Sequence, residues 1–264
     1  LKLTIAFEIN KNYKMVDFKQ DQICLFCTFP LIGSQKYQLP YLLHCHSFET
    51  TTEREGIILG EEEFEENNIL SNSGLNTLII NYSIKLFKII VQWQIEQNKF
   101  SNFASFSNGL VNDAIYDAET LKLMKPFLDN LRSVLEDSKI VQNSENVPTM
   151  LKDVIILDFK GVKNRESFHD LASELYSNVA SFDNCKQWQG KTWGKISVLN
   201  IDTFINHIHH IGQNVPFNPT GSFSSFQLSG KFLTSVTSKL GNRDFAFLNE
   251  LYNFLLNEET EESE

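Results

Sequence analysis

Residues 25–60 read LFCTFPLIGSQKYQLPYLLHCHSFETTTEREGIILG, and the organisation of the chain follows from them. Within 23–29, Ile23, Leu25, Cys27 and Phe29 alternate with Cys24, Phe26 and Thr28. Within 41–48, Tyr41, Leu43, Cys45 and Ser47 alternate with Leu42, His44, His46 and Phe48. Successive strand side chains point to opposite faces, and both runs are apolar-rich and bounded by Gly or Pro, so they predict neighbouring strands. Gly33 and Pro40 bracket the link between them. The second run gives way to a polar turn, Glu49-Thr50-Thr51-Thr52-Glu53-Arg54, and Ile57-Ile58-Leu59 is its short apolar exit.

On the N-terminal side, 3–9 and 13–18 predict two more strands around an Asn10-Lys11-Asn12 turn, so that 1–60 forms a small, mostly antiparallel sheet. On the C-terminal side, Ser71 or Ser73 is placed to cap a long helix. Leu75, Leu78, Ile79, Tyr82, Leu86, Ile89, Ile90 and Trp93 share one broad face of it, and Ile80, Ile84, Phe87 and Val91 occupy much of the other. A helix apolar on most sides predicts burial between two layers. Asn76, Asn81, Lys85, Lys88 and Gln92 interrupt 75–93, which therefore does not read as a membrane span. Helices are further predicted over 117–137, with Pro126 kinking or splitting it, over 165–179, over a segment capped by Asp202 or Thr203 and ended by Gly212, and over 244–256. The unbroken apolar run 154–159 predicts a buried strand, 196–199 a short strand or turn, and 213–230 a long loop. The expected fold class is α/β (α+β): the sheet of 1–60, then a helix-rich body over 61–264 with one or two buried strands.

Composition narrows the function. The chain has 264 residues, 42% of them apolar and 21% charged, which is globular. The net charge of −10 is concentrated in 61–66 and 258–264, and no basic stripe is present to neutralise a phosphate backbone, so no nucleic-acid partner is expected. Four cysteines in a chain this long fit free thiols in a reducing, cytoplasmic compartment. No signal peptide is visible, and entry at Leu1 directly into a strand pattern predicts a fragment trimmed at its front.

Chemistry-bearing residues are sparse. Cys24 and Cys27, three apart on a strand, face opposite ways and cannot share a metal easily. His44 and His46 share a strand face, without an identifiable third ligand. His207 and His210 are helix-surface neighbours, with no His-Glu-x-x-His pattern, and are expected on a solvated face. Gly190-Lys191-Thr192 imitates the end of a phosphate-binding loop, but Cys185 stands where that loop needs Gly and no apolar strand precedes it. No catalytic constellation and no metal site is predicted.

The ordered string Phe26, Cys27, Phe29, Pro30, Leu31, Leu39, Pro40, Phe48, Thr51, Arg54, Gly56, Ile57 resembles the segment that follows the ATP-binding lobe in sacsin-like and No-vein-like GHKL ATPases. The resemblance covers about the first quarter of the chain. It implies the middle, or transducer, region of a chaperone-like ATPase, with an upstream ATP-binding lobe and a protein client as partners, and with ATP and Mg as cofactors of the parent protein. It also marks Arg54 as a contact to the terminal phosphate, a task suited to a permanently charged planar fork; the plainer account is a surface arginine paired with Glu53 or Glu55. The elements that bind ATP are not found in this chain, which alone is expected to be inactive. The other readings are a non-catalytic protein-interaction scaffold and, less favoured, a metal-dependent hydrolase using the histidines.

Overall fold

The computed structural model describes residues 2–12, 15–19, 21–60, 64, 69–97, 102–212 and 245–259. Helices and strands are mixed throughout, an α/β architecture. The chain divides into two units, Leu1–Ser138 and Lys139–Glu264.

In the first unit, β1 (Leu3–Ala6), β2 (Leu25–Phe26) and β3 (Leu42–Cys45) form a sheet in the order β1-β3-β2. β3 runs antiparallel to β1, with Leu3 opposite Cys45 and Ala6 opposite Leu42, and parallel to β2. The predicted alternation holds along β3, where Leu43 and Cys45 are buried and Leu42 and His44 half-buried. β2 is shorter than predicted because the chain reverses at once: the Cys27 amide donates to the Phe29 carbonyl (3.1 Å) and the Leu31 amide to that of Leu25 (3.0 Å). Among the described residues of 13–18, strand pairing is limited to a bridge between Ile9 and Met15.

α1 (Asn72–Gln97) starts where the Ser71 hydroxyl accepts the Gly74 amide at 3.0 Å, so Ser71 acts as the predicted cap. It packs on β1 and on α2 (Ala118–Glu136). Phe87 meets Phe7, Tyr41 and Phe106 ring to ring, and the Tyr41 hydroxyl lies 2.8 Å from that of Ser83. Among the described residues, burial between two layers is not seen. Ile79, Ile80, Ile84, Phe87 and Val91 are buried, whereas Leu78, Tyr82, Ile89 and Trp93 are exposed, because the small sheet and α2 cover only one side. The boundary predicted at 60/61 falls inside the first unit, since α1 is the layer that closes the sheet.

α2 runs through Pro126 without splitting. The proline faces solvent, where a freed carbonyl costs least, while Met124, Phe127, Leu128, Leu131 and Leu135 hold the opposite face. Arg132 ties α2 to the preceding loop: its guanidinium donates to the Leu110 carbonyl (2.6 and 2.9 Å) and to Asp113 (2.6 Å).

In the second unit, β6 (Ile155–Leu157) is fully buried, as predicted, and pairs parallel with β7 (Ser197–Leu199), Ile155 opposite Ser197. The crossover carries α3 (Arg165–Leu175) and α4 (Phe182–Trp188). The sequence pattern missed α4, whose only apolar spacing is Phe182, Cys185, Trp188. A two-residue hairpin, β4 (Val141–Gln142) with β5 (Pro148–Thr149), precedes β6. α5 (Ile201–Gly212) is capped by Asn200, not by Asp202 or Thr203: its carboxamide oxygen accepts the Thr203 amide at 2.8 Å. α6 (Phe245–Glu259) seats Phe254 on Phe168 and Phe204. The loop predicted over 213–230 lies outside the described residues.

The hydrogen bond from Arg132 holds the Asp113 carboxyl below the usual carboxylate range. A depressed folded pKa stabilises the fold above the unfolded value, and that contribution is lost as pH falls through the folded one. With the Asp113 side chain 37% exposed, solvent screening keeps the effect below about 1 kcal/mol. Asp113→Asn is expected to flatten the acid side of the stability profile slightly, measured by urea unfolding between neutral pH and the carboxylate range; an unchanged acid slope would show that the pair carries no stability.

Candidate functional site

Around Arg54, Thr50 pairs antiparallel with Ile57, the Ile58 amide donates to the Glu49 carbonyl (3.0 Å), and the Thr51 amide donates to that of Gly56 (3.0 Å). The segment predicted as a turn with an apolar exit is thus a short β-hairpin with Arg54 in its loop. The Arg54 amide donates to the Thr51 carbonyl at 2.9 Å, and Arg54 itself adopts φ 57°. A left-handed residue after a tight turn lets the two arms of a hairpin close in register.

Two side chains brace the hairpin from outside. Asn76, fully buried on α1, donates to the carbonyls of Glu49 (2.7 Å) and Ile58 (2.9 Å), and its own oxygen accepts the Glu49 amide (3.0 Å). Both arms are therefore held by one carboxamide. Tyr37 closes a 3-10 turn, Ser34–Tyr37, that the sequence did not reveal. Its hydroxyl donates to the Ile57 carbonyl (3.2 Å) and accepts the Ile57 amide (3.0 Å). Burial pushes the Tyr37 phenol up, which keeps the donating proton in place. The fit is close: a Cβ on Gly56 would lie 2.4 Å from the Tyr37 hydroxyl oxygen, and one on Gly33, at φ 113°, would lie 2.6 Å from the Glu55 carbonyl oxygen.

At the tip, Arg54 is exposed and, among the described residues, forms no ion pair, with adjacent Glu53 and Glu55 included. An arginine cannot shuttle protons at neutral pH, so the chemistry on offer is electrostatic: a fixed cation with a planar donor fork that fits phosphate or carboxylate oxygens. At the hairpin root, a cleft of about 510 Å³ lies between Thr51, Ile57, Ile58 and Leu59 on one side and Asp117, Thr120 and Leu123 on the other. The Asp117 carboxyl is lowered chiefly by the Thr120 amide that it caps.

The ordered string of 26–57 builds this one assembly. Leu31, Leu39, Pro40, Phe48, Gly56 and Ile57 are buried in it, whereas Phe29, Pro30 and Arg54 are exposed. Cys24 and Cys27 are buried and free; Cys24 donates to the Ser34 carbonyl (2.9 Å) and Cys27 to that of His46 (3.4 Å), so they share no ligand. Desolvation pushes the Cys24 thiol up to about 12.

The histidines do not assemble a centre. His44 and His46 stack edge to face, centroids 4.6 Å apart. His207 is not on a solvated face as predicted: it is buried, with Nδ1 2.9 Å from the Tyr176 hydroxyl. The side chain of His210 lies outside the described residues. Among the described residues no three His, Cys, Asp or Glu side chains are placed to hold a metal. Gly190-Lys191-Thr192 follows the C-terminus of α4, the reverse of the strand–loop–helix order that cradles a phosphate.

Asn76→Ala would leave the Glu49 amide and the Ile58 carbonyl without the carboxamide that serves them. It is expected to cost about 2–4 kcal/mol and to accelerate hydrogen exchange at Glu49. Gly56→Ala, forced against Tyr37, is expected to cost about 1–3 kcal/mol, and less in a Tyr37→Phe background, where the clashing oxygen is gone. Wild-type exchange at Glu49 in Asn76→Ala would refute the brace.

Comparison of the chain with protein-family models, with curated proteins and with solved structures finds no match.

Proposed function

We propose that this chain is the middle, transducer region of a sacsin-like GHKL ATPase, in which the Arg54 hairpin contacts nucleotide phosphate held by an upstream lobe. The observation that carries the proposal is an exposed guanidinium, without an ion pair among the described residues, at the tip of a hairpin braced from two sides. A loose loop would lose binding energy to the ordering of its backbone on contact; in the braced hairpin only the Arg54 side chain is left to order. In this reading ATP and Mg belong to the parent protein, which works in the cytoplasm. The helix-rich remainder passes the nucleotide state to a protein client, and the chain alone neither binds nor hydrolyses ATP.

The test is steady-state ATPase activity of the chain joined to its nucleotide lobe. Arg54→Ala is expected to lower kcat by about 10²-fold or more, as removal of a preorganised transition-state donor does, with the fold intact by circular dichroism. Unchanged turnover removes Arg54 from the mechanism. The rival reading, a non-catalytic interaction scaffold, is favoured by one observation, the solvent-exposed Phe29 and Ile32 beside the Gly33 turn (69% and 72% exposed). It is distinguished by the absence of ATP turnover in the joined protein.

A further inference from the structure

We propose that His44 and His46 form a surface site for a late divalent transition-metal ion, zinc, nickel or copper, which they hold through one imidazole nitrogen each while water fills the other positions. β3 is the middle strand of its sheet, and Thr4 of β1 and Phe26 of β2 both lie opposite His44, so the backbone under the first ring is fixed from two sides. His46 follows the strand directly. Its carbonyl accepts the Cys27 thiol (3.4 Å), and the Phe48 amide donates to the Cys45 carbonyl (3.4 Å), so the backbone under the second ring is held as well. His44 is half-buried and His46 exposed, and an ion reaches both rings from solvent. Among the described residues, neither ring takes part in a hydrogen bond or an ion pair.

The separation of the rings fits one ion. Their centroids are 4.6 Å apart, with the planes at 80°. A nitrogen–metal bond of about 2.0–2.1 Å, with about 1.15 Å from nitrogen to ring centre, places the centroids of two imidazoles on one ion about 4.5 Å apart at a right angle and about 5.2 Å apart at a tetrahedral one. The observed spacing lies within that range. Turning a ring about its broad Cβ–Cγ torsion redirects a nitrogen while the centroid, close to that axis, stays in place. Binding therefore needs the rings to rotate and not to travel. Thr4 and Phe26, opposite His44, stand where a cross-strand third ligand would be. The result is an open, exchangeable two-ligand site, short of the three side chains of a closed centre. Imidazole suits these ions and not oxygen-seeking Mg, so the ion is distinct from the Mg of the parent protein, and the inference does not depend on the role given to Arg54.

The experiment is isothermal titration calorimetry of the untagged 264-residue chain with zinc chloride and nickel chloride. It is run in a His209→Asn, His210→Asn background, which removes the adjacent histidines of α5. One ion per chain is expected to bind in the micromolar range. His44→Gln and His46→Asn are each expected to weaken zinc binding by about tenfold or more, with the circular dichroism spectrum unchanged, because a chelate needs both rings. Thr4→His puts a third imidazole directly across from His44 and is expected to tighten zinc binding by about tenfold or more. A wild-type site weaker than about 1 mM overturns the proposal. So does a His46→Asn variant that binds zinc as the wild type does, which would place the ion elsewhere, or a Thr4→His variant of unchanged affinity, which would show that the ion does not sit on this strand face.

Discussion

The first unit depends on one buried carboxamide. Asn76 lies in the middle of an apolar helix face, where an unpaired amide would cost several kcal/mol. Here its nitrogen and oxygen make three hydrogen bonds to the backbone of two hairpin arms. The Glu49 carbonyl accepts both the Ile58 amide and the Asn76 amide, so the hairpin's own pairing and its attachment to α1 meet at one atom. Buried polar groups satisfied in this way fix a unique arrangement more firmly than apolar contacts of the same area, which tolerate sliding. The Tyr37 hydroxyl does the same work from the opposite side, serving both backbone groups of Ile57.

These braces explain why the polar turn of 49–54 behaves as architecture. Its loop carries a non-glycine residue at φ 57°, a conformation that persists when the surroundings determine it. Gly33 and Gly56 let the 3-10 turn and the hairpin approach more closely than a side chain would permit. The string of 26–57 is therefore mostly a packing specification, and only a few of its members face solvent. Whatever Arg54 touches, it is presented by a scaffold that does not have to be ordered on contact.

Much of the fold was legible because apolar periodicity reports which faces need cover. β3 follows from a run of period two, β6 from an unbroken apolar run, and α1 and α3 from apolar spacing near four. What periodicity cannot report is who provides the cover, or which polar atom pairs with which. Asn76 read only as an interruption of an apolar run. Tyr37 carried no signal, because its partner Ile57 lies twenty residues away and the 3-10 turn is too short to show a period. His207, expected in solvent, is buried because Tyr176 supplies a hydroxyl for its ring nitrogen. The uncovered side of α1 was misread for the converse reason: an apolar face predicts that something covers it, and no described element does. The candidate site was legible as a residue, Arg54, and not as a geometry.

The attachment of the hairpin to α1 has a mechanical corollary. Asn76 sits in the second turn of a helix of 26 residues, about 39 Å long. A rod clamped near one end to a stiff finger is a lever. Were α1 to turn as a rigid body about that clamp, its end near Gln97, about 32 Å away along the axis, would sweep the longest arc, and its packing on β1 and α2 is what resists such a turn.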